Sequence, residues 1–385
     1  MKHLLIIDQS DFINMPVGGS TTFLRTVVPQ LSEYFDVSLL GRTSQPDLVG
    51  KWTVDYLGKA RFFGFGRIGG KSRFIPCRIK TLSQLWQAKC FVKDLMPDIL
   101  YFHQTETALP FVQFHSCRKA LHIHGLANPL SVSRFPILRT RTCQEIYNSI
   151  FRLVERSVDL ILSVSQPEPS DSNELPLSKG RPFHYIPVCI NGTLFAPADK
   201  IEARRKLGLP PSAEIVGFVG RLSRKKNLEI TLQALRHLAD RGRFVHFLIV
   251  GEGEHENALK KMTLELGLFQ QVLFVPAQSY THLPDYYNAM DMFVMTSLAE
   301  GFPMVVLEAL ASGTPVVANV VGAIPDIIRD GINGCLLTSL EPGAVATAID
   351  SVLNQRQALS NAARKSSEPY FADKIARRLA QVIGA

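Results

Sequence analysis

The sequence predicts an α/β protein built from two doubly wound, parallel-sheet domains, and three observations lead to this fold class. The chain has 385 residues, more than a single hydrophobic core usually serves. Short apolar runs alternate along it with longer segments of helical periodicity. The apolar runs are continuous, which is typical of strands covered on both faces in a parallel sheet. A β-α-β order in both halves therefore favours two doubly wound domains.

Twelve apolar runs are predicted to be strands, six in each half. Those of the first half are His3–Asp8, Val37–Leu40, Ile99–Phe102, Ala120–His124, Leu160–Val164 and His184–Pro187. Those of the second half are Glu214–Val219, Val245–Val250, Val272–Val275, Met292–Met295, Pro315–Ala318 and Cys335–Leu337. Helical spacing is clearest in Leu228–Asp240 and Glu256–Leu266. A turn signal at Asn191-Gly192 predicts an N-terminal domain over residues 1–190 and a C-terminal domain over residues 191–369.

Composition and charge exclude several classes of protein. Apolar residues make up 46% and charged residues 20% of the chain, and no apolar run approaches the roughly 18 residues that cross a bilayer. The start, MKHLLIIDQS, is too short for a signal peptide, and six cysteines without CxxC spacing predict a reduced, cytoplasmic protein without zinc. The net charge of +8 lies mostly in residues 1–199, with 22 Lys/Arg against 16 Asp/Glu. This excess predicts an anionic partner: nucleic acid, anionic lipid or a phosphorylated ligand.

The segment EGFPMVVLEALASGTPVVA, residues 300–318, holds two carboxylates with seven residues between them. Pro303 suits the first turn of a helix, because its missing N–H has no partner there anyway. With helical residues predicted for 304–311, Glu300 lies in the loop that enters the helix and Glu308 lies inside it. Taken alone, the pair is also explained by an exposed Glu308 with a loop Glu300, or by a glycosidase-like acid/base pair.

The predicted helix N-terminus and a separate basic loop both suit a phosphate group. Free N–H groups and a partial positive charge at a helix N-terminus bind phosphate, so a pyrophosphate is expected at the amides of Met304–Val306. The stretch GFVGRLSRKKN ends a strand at Gly220 and places Arg221 and Lys226 in the following loop. Arginine offers a planar fork and lysine a point charge to a diphosphate. A solvated run of charges is the alternative explanation of this loop.

Two further signals lie in the first half of the chain. In MPVGGST, Gly18-Gly19 follows the first predicted strand and would let backbone approach a phosphate closely, with a simple turn as the alternative. In ALHIHGL, His124 ends a strand and could bond a sugar hydroxyl or share in proton handling. His103 is a rival candidate, and His122 is expected to be structural. A strand-end histidine can also be purely structural.

Together these blocks resemble the GT-B retaining glycosyltransferases of family 4, also called glycosyltransferase group 1. The resemblance spans nearly the whole chain and is strongest from Val216 to Leu337. The blocks that carry it are GRLSRKKN, LIVGEGEHENAL, VLFVPAQ, YYNAMDMFVMTSLAEGFPMVVLEALASGTPVVA, GAIPDII and DGINGCLL. It implies two Rossmann-like domains that face a central cleft, with a nucleotide sugar bound mostly by the C-terminal domain. It also implies that a last helix, residues 370–385, packs back on the N-terminal domain.

The resemblance assigns roles to the candidate residues. Arg221 and Lys226 would bind the donor diphosphate, Glu308 the ribose hydroxyls, and Glu300 the donor hexose near its reacting carbon. The implied catalytic residues are Glu300, His124, Arg221 and Lys226. The implied donor-binding residues are Gly18, Gly19, Arg221, Lys226, Glu300, Gly301, Phe302, Pro303, Met304, Val305 and Glu308, with backbone amides of Phe302–Val306 serving hexose and phosphate.

From the N-terminal domain, Gly19 would approach the diphosphate and His124 the donor sugar. The implied reaction moves a hexosyl unit from a UDP- or GDP-linked sugar to a hydroxyl of a glycan or lipid-linked acceptor, with retention, in polysaccharide or glycolipid synthesis. No Asp-x-Asp occurs in the sequence, so neither a metal nor a cofactor is expected. The alternatives are a GT-B epimerase or phosphorylase, a non-catalytic sugar-nucleotide-binding partner, and a nucleic-acid binder, which would lack any recognised module.

The segment 59–93 contains nine Lys/Arg and no Asp or Glu. Aromatic residues are interleaved with these cations, and five of them are assigned to the same surface: Phe62, Phe63, Phe65, Phe74 and Trp86. Cations attract an anionic leaflet and aromatic rings insert into it, which predicts peripheral attachment to the cytoplasmic membrane face. A basic loop around residues 64–70 whose aromatic rings return to the core is one alternative. A basic groove for an acidic saccharide is the other.

Overall fold

The computed structural model describes residues 1–11, 19–68, 77–124, 128–131, 133, 135–164, 175 and 183–384, without the side chains of 54–56 and 77–79. The chain divides into two compact units. Unit 1 consists of residues 1–189 together with 372–385, and unit 2 of residues 190–371. The predicted domain boundary after residue 190 lies next to this division.

Unit 1 is built on an eight-stranded sheet. In chain order its strands are β1 (His3–Asp11), β2 (Asp36–Thr43), β3 (Trp52–Tyr56), β4 (Ala60–Arg67), β5 (Ile99–Phe102), β6 (Arg118–Ile123), β7 (Leu160–Ser163) and β8 (Phe183–Tyr185). Their spatial order is β3-β4-β2-β1-β5-β6-β7-β8, and every neighbouring pair is parallel except β3 with β4. The strand order reverses between β1 and β5, so the loops after these strands open at one edge of the sheet.

Helices of unit 1 connect these strands and cover the sheet. They are α1 (Gly19–Leu31), α2 (Cys77–Gln87), α3 (Lys89–Asp94), α4 (Thr105–Ala108) and α5 (Arg141–Ser157). The buried side of α5 carries Tyr147, Phe151 and Val154, spaced by three and four residues as one face of a helix requires. These side chains join the main hydrophobic cluster of the unit, together with strand residues such as Leu100 and Leu121.

Strands β3 and β4 are missing from the sequence prediction. Side chains along β4 alternate between buried and half-buried positions, a pattern that its glycines and cations obscure. Phe62 is fully buried, and Phe63 and Phe65 pack against the core of unit 1. Three of the five aromatic residues assigned to a membrane-facing surface therefore belong to the core. Phe74 lies outside the described residues, whereas Trp86 is 56% exposed.

Unit 2 is a doubly wound domain around a six-stranded parallel sheet. Its strands are β9 (Ile215–Val219), β10 (His246–Val250), β11 (Val272–Val275), β12 (Met292–Met295), β13 (Val316–Asn319) and β14 (Gly334–Leu337). Their spatial order is β11-β10-β9-β12-β13-β14, with all neighbouring pairs parallel. This is the 3-2-1-4-5-6 order of a doubly wound sheet, and it reverses between β9 and β12. The predicted fold class is confirmed in both units.

Seven helices flank the sheet of unit 2. They are α6 (Lys200–Lys206), α7 (Leu228–Asp240), α8 (Glu256–Glu265), α9 (Leu283–Ala289), α10 (Met304–Ala311), α11 (Ile324–Ile327) and α12 (Pro342–Ser367). A final helix, α13 (Ala372–Gly384), belongs to unit 1 and packs against α1. Its buried side chains are Ala372, Ile375, Ala376, Leu379 and Ile383, which form one helical face. No helix in the described part of the chain is long and apolar enough to span a bilayer.

A buried ionic network fixes the start of β12 in unit 2. The Asp291 carboxylate accepts hydrogen bonds from Arg204 Nη2 at 2.8 Å, from the Ile215 amide at 2.8 Å and from Lys200 Nζ at 2.7 Å. Arg204 is only 3% exposed and also donates to the carbonyl oxygens of Ala289 and Pro211. Because each buried charge is paired and hydrogen-bonded, the network ties α6 to the central strands.

Candidate functional site

Two loops of unit 2 meet at the carboxyl edge of its sheet, where the strand order reverses. One follows β9 and contains a short 3₁₀ turn, Arg224–Lys226, before α7. The other follows β12 and enters α10. Because β9 and β12 are parallel neighbours, both loops lie at the same edge. The backbone amide of Leu298 donates to the carbonyl oxygen of Lys225 at 2.9 Å, which holds the two loops together.

The structure brings Lys226 and Glu300 into direct contact. Lys226 Nζ donates to Glu300 Oε1 at 2.7 Å, and the two side chains are only 19% and 12% exposed. Partial burial strengthens such a pair relative to an ion pair in open solvent. The two charges lie 74 positions apart in the sequence. The contact places a cation and a carboxylate together at the predicted donor site.

Arg221 and Glu308 lie in very different surroundings. Arg221 is exposed and pairs with Glu254, which lies in the loop after β10, at 3.0 Å. Glu308 is 4% exposed, and its Oε2 accepts a hydrogen bond from the Tyr287 hydroxyl at 2.7 Å. Burial raises the pKa of the Glu308 carboxyl to about 7, against the opposing effect of the bond from Tyr287. An exposed Glu308 on an amphipathic helix is therefore the wrong explanation of the motif.

The helix α10 begins and ends as the motif predicts. Pro303 is the N-cap, one position ahead of the predicted first turn, and the helix spans Met304–Ala311 before Gly313 adopts a positive φ of 78°. No acidic or basic side chain lies in the first turn. The Val306 amide donates to the Pro303 carbonyl oxygen at 3.1 Å, so of the amides predicted to bind pyrophosphate those of Met304 and Val305 are left for a ligand at this helix N-terminus.

A glycine that sequence reasoning did not single out shapes the Glu300 loop. Gly322 has a φ of +54°, and a Cβ atom placed on it would lie 2.2 Å from the carbonyl oxygen of Glu300. The next residue, Ala323, donates its amide to the Gly301 carbonyl oxygen at 2.9 Å. Only glycine permits this close approach, so residues 322 and 323 set the path of the loop that carries Glu300. The block GAIPDII contained the signal, but only a structure shows what it touches.

Three histidines cluster at the ends of β5 and β6 in unit 1. His103 Nδ1 and His124 Nε2 are 2.6 Å apart, and their rings stack with centroids 4.9 Å apart. Burial lowers the pKa of His124 to about 4 and that of His103 well below its usual value. His103 and His124, the two candidates from the sequence, are therefore hydrogen-bonded to each other, and both rings are neutral near pH 7. They line a cavity of about 260 Å³ that also contacts Glu106 and Tyr147.

The third histidine of this cluster is engaged on both ring nitrogens. His122 Nε2 donates to the Ile186 carbonyl oxygen at 3.2 Å, so the neutral ring accepts the Tyr101 hydroxyl at Nδ1, at 2.5 Å. The ligand atoms of the three imidazoles lie within 4.8 Å of one another. Binding a metal ion through all three would require His122 to give up its bond to Tyr101 or its bond to Ile186. The expectation that the protein uses no metal stays a prediction.

Of the predicted glycine pair, only Gly19 is described, and Gly18 lies outside the described residues. Gly19 is the exposed first residue of α1. A Cβ atom placed on it would meet no atom of the described residues within 4 Å. The packing of these described residues therefore does not require glycine at position 19. The predicted contact of Gly19 with a diphosphate remains a prediction.

Comparison with known proteins bears on the same residues. Residues 199–367 match the family model of glycosyl transferases group 1, a range that contains Arg221, Lys226, Glu300 and Glu308. Unit 2 belongs to the glycosyltransferase group 1 family. The predicted family is thereby confirmed on the unit that carries the motif.

Two curated relatives of this chain share one name. The D-inositol 3-phosphate glycosyltransferase of Mycolicibacterium gilvum is 41% identical over 163 residues, which are 41% of this chain and 36% of that protein. The protein of the same name from Mycobacterium marinum is 31% identical over 254 residues, which are 64% of this chain and 51% of that protein. The chain thus spans between about a third and a half of the length of these relatives.

Solved structures extend the structural similarity over the whole chain. Sucrose-phosphate synthase from Thermosynechococcus elongatus has a TM-score of 0.81 at 21% identity and covers 99% of this chain and 98% of its own. Anabaena Alr3699/HepE in complex with UDP-glucose has a TM-score of 0.70 at 20% identity, with full coverage of both chains. WaaG, a glycosyltransferase involved in lipopolysaccharide biosynthesis, has a TM-score of 0.73 at 14% identity. These likenesses establish the GT-B fold.

Proposed function

We propose that the protein is a retaining glycosyltransferase that moves a hexosyl unit from a nucleoside diphosphate sugar to a hydroxyl of a glycan or lipid-linked acceptor. The observation that carries this proposal is the contact between Lys226 and Glu300 at the reversal point of the unit 2 sheet. A cation and a carboxylate at this edge suit the two ends of a sugar diphosphate. The similar protein from Anabaena was solved with UDP-glucose, which supports a nucleotide-sugar donor.

The proposed chemistry assigns a distinct task to each group of unit 2. Negative charge develops on the diphosphate as the bond to the sugar breaks, and Lys226, Arg221 and the first amides of α10 stabilise it. Glu300 bonds hexose hydroxyls near the reacting carbon, and Glu308 bonds the ribose hydroxyls. These cations and amides take the place of a bridging metal, so transfer is proposed to need no divalent ion.

From unit 1, the proposal takes His124 as a neutral partner of the donor sugar and Gly19 as a close neighbour of the diphosphate. Because its pKa is about 4, His124 donates or accepts hydrogen bonds without adding charge near pH 7. His124 Nε2 is already hydrogen-bonded to His103 Nδ1. The other ring nitrogen of His124, Nδ1, is therefore the one proposed to bond a sugar hydroxyl. A neutral ring suits an uncharged hexose better than an imidazolium does.

The test is a panel of UDP- and GDP-linked hexoses, scored in excess EDTA for sugar release and for transfer to glycan and lipid-linked acceptors. We expect one donor to be consumed, with an anomeric configuration in the product that matches the donor. Loss of all turnover in EDTA with recovery in magnesium or manganese would contradict the metal-free assignment. Conversion of the donor sugar without any acceptor would identify an epimerase instead. A protein that consumes no donor in either condition would contradict the proposal as a whole.

We also propose that unit 1 attaches to an anionic membrane surface through the exposed part of the segment 59–93. Trp86 is 56% exposed, and Lys89 Nζ lies 5.8 Å from the centre of its ring. Lys80 and Lys93 are also exposed. Each cation near an anionic leaflet contributes about 1 kcal/mol. This surface replaces the wider one expected from the sequence, because β4 takes its aromatic rings into the core.

Flotation with anionic liposomes at low salt tests this attachment. The double variant Lys80→Ser/Lys93→Ser should partition onto vesicles about thirtyfold more weakly than wild type, and Trp86→Ser should also weaken binding. Arg241→Ser/Lys365→Ser, which removes two exposed cations of unit 2, is the matched control and should bind as wild type does. Wild-type protein that stays in the soluble fraction would rule the attachment out.

A further inference from the structure

The carboxylate of Glu308 has one hydrogen-bond donor among the residues that the structure describes, the hydroxyl of Tyr287. Tyr287 lies on α9 and is fully buried, and Glu308 lies on the neighbouring helix α10. The hydroxyl donates to Oε2 at 2.7 Å. A carboxylate has two oxygens, so this bond leaves Oε1 for a ligand. Tyr287 was not among the residues singled out in the sequence.

Several contacts fix the Tyr287 ring, so its hydroxyl is held in place before any ligand binds. The ring packs against Phe195 and Phe293, with centroids 5.9 Å and 6.0 Å away. Thr314 Oγ1 donates to the Tyr287 carbonyl oxygen at 2.8 Å. The next residue, Asn288, accepts the amide of Ala198 at 2.7 Å. A rigidly held donor keeps its partner in one orientation at low entropic cost.

Most charged groups on the elements around Glu308 have other partners, and Lys365 of α12 is exposed to solvent. Strands β12 and β13, which pack under α10, present apolar side chains and Asn319. Tyr280 lies near Tyr287 and is a second phenol. Charged groups of α9 and α12 have other partners: Asp285 with Lys206, Asp350 with Arg243, Arg356 with Glu214 and Asp291, and Arg364 with the carbonyl oxygens of Gly192, Phe195 and Ala311. Tyr287 is thus the described group that acts directly on this carboxylate.

We propose that Tyr287 is a positioning residue that favours the carboxylate form of Glu308 and directs its free oxygen towards the ribose hydroxyls of the donor. The inference rests on the proposed function, because it assumes that a nucleoside diphosphate binds at Glu308. Without the phenol, a carboxyl this deeply buried takes up a proton and loses acceptor capacity. The phenol therefore acts on affinity through the protonation and orientation of Glu308, without touching the ligand.

The two opposing effects on Glu308 give a clear pH dependence. Burial favours the neutral acid and raises the pKa to about 7, whereas the bond from Tyr287 favours the carboxylate and lowers it. Ligand hydroxyls donate to the ionised form, so affinity for nucleotide should rise with pH through about 7. Removing the phenol hydroxyl should move this midpoint about one to two pH units higher. At pH 7 the affinity should then fall about five- to fiftyfold.

The experiment measures binding of UDP and GDP by calorimetry from pH 5.5 to 9 for four proteins. These are wild type, Tyr287→Phe, Glu308→Gln and Tyr286→Phe. The nucleotide itself also titrates in this pH range. Dividing each affinity by that of Glu308→Gln at the same pH removes this contribution, because the variant binds the same nucleotide but lacks the carboxyl. Tyr286→Phe is the matched control, because it removes a phenol from the same helix at a half-buried position and should follow wild type. Thermal melts confirm that all four proteins are folded.

Support for the inference is a midpoint that moves to higher pH in Tyr287→Phe, with an affinity that rises to within about twofold of wild type at pH 9. Equal weakening at every pH would indicate a merely structural role and overturn it. If the rise of affinity with pH in wild type is lost in Glu308→Gln but is unchanged in Tyr287→Phe, the inference is overturned while the proposed function stands. Wild-type protein that binds neither nucleotide at any pH would contradict the proposed function, and the inference with it.

Discussion

Replacing Glu300 by glutamine should lower kcat about ten- to 150-fold without weakening the binding of nucleoside diphosphate. The proposed site places this carboxylate near the reacting carbon, where a hydrogen bond to a charged group contributes about 1.5–3 kcal/mol. In the free protein Glu300 pairs with Lys226 at 2.7 Å and so competes with the diphosphate for that cation. Glutamine removes this competition, and nucleotide affinity should stay equal or rise. Calorimetry with UDP and GDP, alongside donor turnover, separates the two effects.

Glu308→Ala provides the contrasting variant. It should chiefly weaken the binding of donor and free nucleotide, by about 1.5–3 kcal/mol, because its proposed contacts are with ribose in ground state and transition state alike. If both variants keep wild-type nucleotide affinity and full turnover, the assignment of this site is wrong.

A pair of glycine variants tests the Glu300 loop without touching the carboxylate. Gly322→Ala should reproduce the loss of turnover, because the new Cβ would displace the Glu300 backbone. Gly331→Ala is the matched control, since Gly331 also has a positive φ, of 71°, and a Cβ atom added there would meet nothing within 4 Å. Both variants carry the conformational cost of a left-handed backbone, so a difference between them isolates the contact with Glu300. Equal turnover in the two would show that the loop path is unimportant.

The second large effect concerns stability: Asp291→Ala should destabilise unit 2 by about 3–5 kcal/mol, because it leaves a buried charge unpaired. Arg204, 3% exposed, would lose its carboxylate partner, and the Ile215 amide would lose its acceptor. Urea unfolding followed by a probe in unit 2 gives the free energy of unfolding. Asp240→Ala removes the exposed partner of Arg236 and should stay within about 0.5 kcal/mol of wild type. A similarly small effect of Asp291→Ala would contradict the importance of the buried network.

The pH dependence of this stability has a definite sign. Burial alone would raise the pKa of Asp291, but Lys200, the Ile215 amide and Arg204 together hold it below its usual value. A carboxyl whose pKa is depressed in the folded state stabilises the fold fully above its unfolded pKa of about 3.9. This stabilisation is lost as the pH falls through the lower, folded value. Wild type should therefore lose more stability below about pH 4 than Asp291→Ala does.

Local patterns predicted most of the sheet, and the misses have a physical cause. The strands Ile99–Phe102, Val272–Val275 and Met292–Met295 occur at their predicted bounds. The first and third are continuous apolar runs that are buried along their whole length, as expected for strands covered on both faces. Val272–Val275 has the same apolar pattern but is a partly exposed edge strand. Strand β4 was missed because it lies towards the sheet edge, where glycines and cations are tolerated. The end of β6 was predicted with an error of one residue: the strand ends at Ile123, whereas the prediction ended it at His124.

The sequence predicted which residues belong to the candidate site. It did not predict how deeply they are buried or which residues they contact. The sequence blocks singled out Glu300, Glu308 and Lys226 as candidates, and the family resemblance assigned their roles. Burial of Glu308, its bond to Tyr287 and the pairing of Lys226 with Glu300 depend on how β9 and β12 become neighbours. The Tyr287–Glu308 bond joins residues that are 21 positions apart, and the Lys226–Glu300 pair joins residues that are 74 positions apart. No local sequence pattern contains such contacts.

The return of α13 to unit 1 has a consequence for the order in which the protein can form. During synthesis, all of unit 2 emerges between residue 189 and the helix that covers α1. Until then, the apolar surface that Ile375, Leu379 and Ile383 bury on unit 1 faces solvent on the growing chain. Unit 2 is continuous in sequence and needs no later segment. The domain that starts first at the ribosome is therefore completed last.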